Sequence, residues 1–240
     1  MIPKVIHYCW FGRKPLPKLA RECIQSWRKY LPNWEIKEWN EDNFNVNEVA
    51  FADEAYKARK YAFVSDYARF AILAEHGGVY MDTDVELIKP WEPLIDTAPF
   101  VGTEQTGLIN PGLGFAMPPG NDFCRAMVET YRSVRFVNRD GSYNLKTICD
   151  YSTGYFTERG YKPADNQLTI DGITIYPPQV MSPKSQITGE LNITEETYAI
   201  HHYAGSWLTP YERFKLRVKE VTGSTFANFY IRLKHKLLNK

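Results

Sequence analysis

The sequence predicts an α/β fold, a Rossmann-like layer in which a sheet is covered by helices, and three observations carry that prediction. Segments that alternate apolar and polar residues with period two succeed segments of helical period; short stretches rich in Gly, Pro and Asn separate them; and no repeat, low-complexity tract or linker cuts the 240 residues into two. Alternating strands and helices joined by short loops favour parallel pairing, with the helices carried onto the faces of a mostly parallel sheet.

The elements follow in order. Residues 4–11 are β-branched and aromatic and break at Gly12 and Pro15-Leu16-Pro17, as a first strand running into a loop would. Leu19, Cys23, Ile24 and Trp27 fall at helical spacing before Pro32 stops the pattern. Residues 34–39 alternate with period two and run into the polar cluster Asn40-Glu41-Asp42-Asn43, so the chain opens β-α-β. One long helix is predicted over 54–76, closed by Gly77-Gly78. Over 79–89 the alternation returns and puts Tyr80, Asp82, Asp84 and Glu86 on one face of a strand that Pro90 ends. Beyond Pro99 the signals are irregular: Gly112 and Gly114 near Phe115, a helix predicted over 122–133, and short strands at 168–170 and 173–176 around the turn Asp171-Gly172. This half is expected to extend the sheet and build the acceptor side.

Composition narrows the function classes. With 44% hydrophobic and 15% aromatic residues the chain can bury a large core as one unit. A net charge of +1 gives no bulk basis for nucleic-acid binding, so any anion site must be local. Cys9, Cys23, Cys124 and Cys149 are scattered, without a C-x-x-C pair or zinc-ligand spacing, and are expected as thiols. The N-terminus has no long apolar run and no stretch reaches ~18 apolar residues, so a cytoplasmic protein is expected. Residues 213–240 are basic and amphipathic; they are expected as a helical segment appended to a catalytic domain at 1–212, packed on it or lying against anionic lipid at the inner face of the membrane.

The chemistry centres on Asp82-Thr83-Asp84. Two carboxylates on one side can share a divalent ion, and a hard cation completed by phosphate oxygens is the usual way to hold a nucleotide diphosphate. An EF-hand reading fails, because Leu87 stands where that loop needs Gly. Asp66 and Arg69 lie one turn apart on the preceding helix, offering a carboxylate for sugar hydroxyls and a guanidinium for hydroxyl or phosphate oxygens, or else forming an ordinary ion pair. Near the end, His201-His202-Tyr203-Ala204-Gly205-Ser206-Trp207 is the densest cluster of ligand-type and aromatic residues. Adjacent histidines on a strand point to opposite faces, so at most one would meet a metal. Trp10, at the end of the first strand, could stack on a nucleobase or belong to the core.

Four motifs in order resemble the DXD-containing sugar-transfer proteins of glycosyltransferase family 32, which include capsular polysaccharide enzymes and relatives of fungal mannosyltransferases. They are residues 2–10 (IPKVIHYCW), 62–69 (AFVSDYAR), 77–84 (GGVYMDTD) and 202–207 (HYAGSW). The resemblance implies a GT-A fold with a mixed sheet, a nucleotide-sugar donor (a UDP-sugar first), Mn²⁺ or Mg²⁺, an oligosaccharide or lipid-linked acceptor, and retention at the anomeric carbon. It implies that Trp10 stacks on the base, Asp66 and Arg69 hold the donor sugar, Asp82 meets ribose or sugar hydroxyls, Asp84 ligates the metal with His202 as third contributor, and Ser206 and Trp207 meet the diphosphate. The chain departs from the family at Thr153-Gly154-Tyr155, where relatives often carry Thr-Gly-Pro. Two other classes remain: a nucleotidyltransferase, which would release pyrophosphate, and a non-catalytic carbohydrate-binding protein, which would need no nucleotide.

Overall fold

The computed structural model describes residues 1–96, 99–185 and 189–205. Its main body is a seven-stranded sheet in the order β2-β1-β3-β6-β5-β8-β7, with β1 (Val5–Cys9), β2 (Glu35–Trp39), β3 (Gly78–Tyr80), β5 (Phe100–Gly102), β6 (Phe115–Met117), β7 (Leu168–Ile170) and β8 (Ile173–Tyr176). A separate two-stranded ribbon pairs β4 (Val85–Leu87) antiparallel with β9 (Ala199–His201), Val85 opposite His201. The class is α/β as expected, and the large sheet is mixed, as the family resemblance implies, where the alternation of strands and helices alone suggested a mostly parallel one. β1 pairs parallel with β2 and β3, and β5 with β8, whereas β6 runs antiparallel between β3 and β5, and β7 antiparallel to β8.

The helices divide between the faces. On one side α2 (Ala50–Lys57), α3 (Tyr61–His76), α5 (Asp122–Ser133) and α6 (Ile148–Thr157) cover an aromatic core around Phe51, Tyr67, Phe70, Phe115, Phe123 and Tyr131. On the other, α1 (Lys18–Tyr30) and the short α4 (Glu92–Ile95) and α7 (Pro178–Met181) pack Ile24, Trp27, Leu94 and Val180 against Ile6, Val79 and Phe100. The alternation of β1 feeds both: Ile6 and Tyr8 enter the second cluster and Cys9 the first. Each aromatic ring buried this way removes on the order of 150–250 Å² from water, so the two layers rest chiefly on such contacts.

Two segments differ from the sequence expectation in ways that matter for the site. The long helix of 54–76 is two helices. Arg59 takes the left-handed conformation at φ 58°, the Lys60 N–H bonds the Ala55 carbonyl at 2.8 Å and the Arg59 N–H bonds the Tyr56 carbonyl at 2.9 Å. This is a Schellman stop, with Arg where Gly is usual, which is why no breaker marked it in the sequence. The long strand of 79–89 is also broken. β3 ends at Tyr80, Val85 N–H returns to the Asp82 carbonyl at 3.1 Å, and the chain turns out of the large sheet into the ribbon. The helix at 122–133 and the strands at 168–170 and 173–176 lie where expected; α6 was not anticipated, although Thr147 and Asp150 cap it reciprocally. The basic segment 213–240 lies outside the described residues. Among the described residues no helix is long and apolar enough to cross a membrane.

Candidate functional site

Strand order reverses direction between β1 and β3: the chain moves outward from β1 to β2 through α1, then returns through α2 and α3 to β3 on the other side. A crevice outside the carboxyl ends of those two strands is where open α/β sheets place ligands. β1 delivers Trp10 there and β3 delivers Asp82. The hinge is Gly77-Gly78, at φ 63° and 99°, conformations that a side chain would strain. A Cβ at Gly78 would also lie 2.7 Å from the Val5 carbonyl oxygen, so the close approach of β3 to β1 needs glycine.

Asp82 and Asp84 converge through the turn that follows β3. The Asp82 N–H is held by the Gly112 carbonyl at 3.0 Å, and its carboxylate receives the Tyr80 hydroxyl at 3.2 Å. Asp84 accepts the Ala204 N–H at 2.8 Å on one oxygen and faces His201 Nε2 at 3.1 Å on the other. The ribbon sets this meeting, because β4 and β9 pair Val85 with His201 and the His202 N–H bonds the Asp84 carbonyl at 3.0 Å. Strand alternation therefore was not the reason the two carboxylates share a side.

Arg69 supplies the positive charge. Its side chain is 4% exposed and reaches Asp66 at 3.0 Å and Asp82 at 3.3 Å, while its plane lies over the Tyr80 ring. Burial alone would lower the guanidinium, but Asp82, Tyr80 and Asp66 hold it above its ordinary value. Burial pushes the Asp66 carboxyl up to about 7, with Arg69 pulling the other way. Asp84 goes the opposite way, to about 2: burial would raise it, and His201 with the Ala204 N–H overrides that. His201 is raised above its usual range, burial lowering it but Asp84 outweighing burial.

One ligand atom each from Asp82, Asp84 and His201 lies within 4.8 Å of the others. Two carboxylate oxygens and one imidazole nitrogen form a donor set suited to a divalent ion such as Mn²⁺ or Mg²⁺. The surroundings fit as well. The His201 ring is buried and the fold aims its Nε2 at the carboxylates; its Nδ1 has no hydrogen-bond partner among the described residues. Tyr203, in a left-handed conformation at φ 53°, packs its ring edge-on to His201 with centroids 4.1 Å apart and fixes its own hydroxyl on Ser182 at 2.6 Å. With Arg69 shared between Asp66 and Asp82, the carboxylates outnumber the fixed cation beside them.

The structure thus brings together Asp66, Arg69, Asp82 and Asp84 from the expected set, and it corrects the histidine. His202 points away and meets Glu86 at 2.8 Å; His201 is the imidazole beside the carboxylates. Trp10 sits half-buried at the end of β1, its N–H on the Lys14 carbonyl at 2.5 Å and its ring against the cluster of Ile6 and Ile24. Ser206 and Trp207 lie outside the described residues. Tyr80, Gly112 and Tyr203 were not read as site residues in the sequence. The signals were there: Tyr80 shares the alternating face of Asp82, Tyr203 lies in the His201–Trp207 cluster, and isolated glycines such as Gly112 beside a strand mark close backbone approach.

Residues 17–101 match the family described as "Glycosyltransferase sugar-binding region containing DXD motif". Inositol phosphoceramide mannosyltransferase 1 of Schizosaccharomyces pombe is 31% identical over 135 residues, covering 51% of this chain and 40% of that protein. An uncharacterized glycosyltransferase, L373, of Acanthamoeba polyphaga mimivirus is 34% identical over 91 residues, 35% of this chain and 36% of its own length. The chain therefore spans about two fifths of the length of the relatives it matches. Among solved structures, a glycosyltransferase involved in glycosylation of the major capsid of PBCV-1 aligns over 89% of this chain and 98% of its own, at 12% identity and a TM-score of 0.48.

Proposed function

We propose that this chain is a metal-dependent glycosyltransferase of the DXD type with a GT-A fold, moving a sugar from a nucleotide-sugar donor to a carbohydrate acceptor. The observation that carries the reading is the convergence of Asp82, Asp84 and His201 beside the buried Asp66–Arg69 pair. That convergence falls at the mouth of the β1/β3 crevice, on the segment that matches the DXD family.

In this reading Asp84 and His201 hold Mn²⁺ or Mg²⁺, and Asp82 completes the site or meets ribose and sugar hydroxyls. The metal, when bound, neutralises charge that grows on the departing diphosphate. The protein's own groups do the rest. Trp10 supports the base at the end of β1. Asp66 accepts from donor-sugar hydroxyls while Arg69, immobilised between two carboxylates, donates to sugar or phosphate oxygens from a geometry already fixed before the donor arrives. The family resemblance assigns Ser206 and Trp207 to the diphosphate. Transfer proceeds on the front face with retained configuration, as the family resemblance implies. A product of inverted anomeric configuration by NMR would overturn that step.

The donor is a UDP-sugar and the acceptor an oligosaccharide, lipid-linked, in surface or capsular polysaccharide assembly. A relative named for mannosyl transfer to inositol phosphoceramide supports an acceptor carrying a lipid. The protein works in the cytoplasm at the inner face of the membrane, with residues 213–240 touching anionic headgroups.

Thermal-shift screening with UDP, GDP, CMP and their common sugars, each with and without Mn²⁺, tests the reading. A ligand that binds only the folded state raises the melting temperature by mass action. The expected result is one nucleoside diphosphate that stabilises only with metal. Stabilisation by free sugars alone, at saturating nucleotide, would replace the transferase with a carbohydrate-binding protein; release of pyrophosphate on turnover would mean a nucleotidyltransferase.

A further inference from the structure

Behind Asp82 lies a second buried polar group that the reading above does not use. Glu104 follows the end of β5 and is 7% exposed; Asn110, six residues on, is 6% exposed. An isolated carboxylate at such depth is costly, and this one is held by specific donors. Asn110 Nδ2 donates to Glu104 Oε1 at 2.6 Å, and the Thr106 hydroxyl donates to Oε2 at 3.3 Å. The loop between them closes on itself, with the Glu104 N–H on the Leu108 carbonyl at 2.8 Å and the Asn110 N–H on the Gly102 carbonyl at 3.0 Å.

The other end of the Asn110 amide leads to the site. Its Oδ1 accepts the Gly112 N–H at 2.7 Å, and the Gly112 carbonyl accepts the Asp82 N–H at 3.0 Å. Gly112 is pressed so closely against the carboxylate that a Cβ there would overlap Asp82 Oδ2 and lie 3.1 Å from Arg69 Nη1. A continuous chain of hydrogen bonds thus runs Glu104–Asn110–Gly112–Asp82, and its last link grips the backbone of the residue whose side chain faces Arg69 and the candidate metal ligands.

We infer that Glu104 and Asn110 are a positioning pair for Asp82. The carboxylate of Glu104 fixes which way round the Asn110 amide sits; that orientation presents Oδ1, not the NH₂, to the Gly112 N–H; and Gly112, held there, presents its carbonyl to the Asp82 N–H and so sets the backbone from which the Asp82 carboxylate meets Asp84 and His201. Amide orientation is the critical step, since a flipped Asn110 would aim a donor at a donor. Hydrogen-bond partners one layer behind a metal site orient its ligands, and their loss weakens metal binding about 10- to 100-fold.

The inference rests on the metal reading, and the test separates the two. Mn²⁺ alone is titrated by calorimetry at pH 7.5 into the full chain and three variants: Asn110→Asp, which sets two carboxylates against each other; Glu104→Met, which removes the acceptor at similar volume; and the swap Glu104→Gln with Asn110→Asp, which restores one donor and one acceptor with the same total charge. Melting temperatures are measured alongside. Asn110→Asp and Glu104→Met are expected to weaken Mn²⁺ binding about 10-fold, and the swap to recover most of it. Should Asn110→Asp not fold, Glu104→Met against the swap carries the comparison. Lowered melting temperatures with an unchanged Mn²⁺ dissociation constant, or a swap as weak as the single variants, would overturn the positioning role. If the unaltered protein does not bind Mn²⁺, the metal reading fails and takes the pair's role with it.

Discussion

Acid should loosen this protein through one buried histidine on β1 that is not itself a candidate metal ligand. His7, on β1, is 2% exposed, and both ring nitrogens are committed: Nε2 meets the Gly77 carbonyl at 3.0 Å and Nδ1 accepts the Trp39 indole N–H at 3.0 Å. Only the neutral ring protonated at Nε2 satisfies both. A second proton on Nδ1 would face the indole hydrogen, and burial accordingly pulls His7 from its ordinary 6.5 to about 4, with the Gly77 carbonyl opposing and His76 and Lys37 assisting. The unfolded chain takes up this proton near pH 6.5 and the folded chain only near 4, so the contribution of His7 is fully present above pH 6.5 and is lost as pH falls toward 4. A shift of this size amounts to roughly 3 kcal/mol in full, of which about 2 kcal/mol is lost by pH 5.

The assay is urea unfolding followed by tryptophan fluorescence at pH 7.5 and pH 5, for the protein and for His7→Gln, which can still donate and accept but does not titrate. The other titratable groups are common to both proteins, so the difference between the two pH slopes isolates His7. The variant is expected to start less stable at pH 7.5, through altered packing, and to lose about 2 kcal/mol less on acidification. Equal slopes would refute the reasoning. The consequence reaches function, because His7 clasps the Gly77-Gly78 hinge with its ring and holds the Met81 N–H with its carbonyl at 3.1 Å, one residue before Asp82.

Three further outcomes follow from the same contacts. Arg69→Met leaves the buried Asp66 and the half-buried Asp82 carboxylates without their shared cation and should cost about 3–5 kcal/mol in urea unfolding; a loss under ~1 kcal/mol, the range of surface ion pairs, would mean the pair is solvated. Asp84→Asn keeps an oxygen for the Ala204 N–H but removes the charge facing the buried His201, so the melting temperature should fall while the protein still folds, and stabilisation by Mn²⁺ with nucleotide should disappear; retained metal-dependent stabilisation would count against the ligand assignment. Glu54, 13% exposed, accepts the Phe136 and Val137 N–H groups at 2.9 and 3.0 Å and Arg135 Nε at 2.7 Å, so Glu54→Ala should cost about 1–3 kcal/mol and speed proteolysis of the 134–146 segment. Unchanged cleavage there would show that α2 does not anchor it.

Much of this molecule is written locally. Period-two alternation at 34–39, the helical spacing of Leu19, Cys23, Ile24 and Trp27, and the turn between 168–170 and 173–176 each describe a short segment whose burial depends on its own pattern, and those elements are where the sequence puts them. The same holds for the chemical inventory. Asp82, Asp84, Asp66 and Arg69 could be singled out because carboxylates two apart and an acid–base pair one helical turn apart are near neighbours whatever the fold. What the sequence did not carry is where the chain changes course. Arg59 ends α2 in a conformation that glycine usually marks, and the turn after Asp82 carries no breaker, so two continuous elements were expected where four exist.

The tertiary structure alone decided the rest, because the partners are distant in sequence and their meeting depends on register. A strand presents adjacent residues to opposite faces, so His201 and His202 differ only in which one faces the site. The pairing of Val85 with His201 turns His201 to Asp84 and leaves His202 to Glu86. In the same way Glu104 and Asn110 look in the sequence like loop residues among glycines. They become part of the site only when β6 inserts antiparallel beside β3 and carries Gly112 against Asp82, a contact that no local pattern encodes.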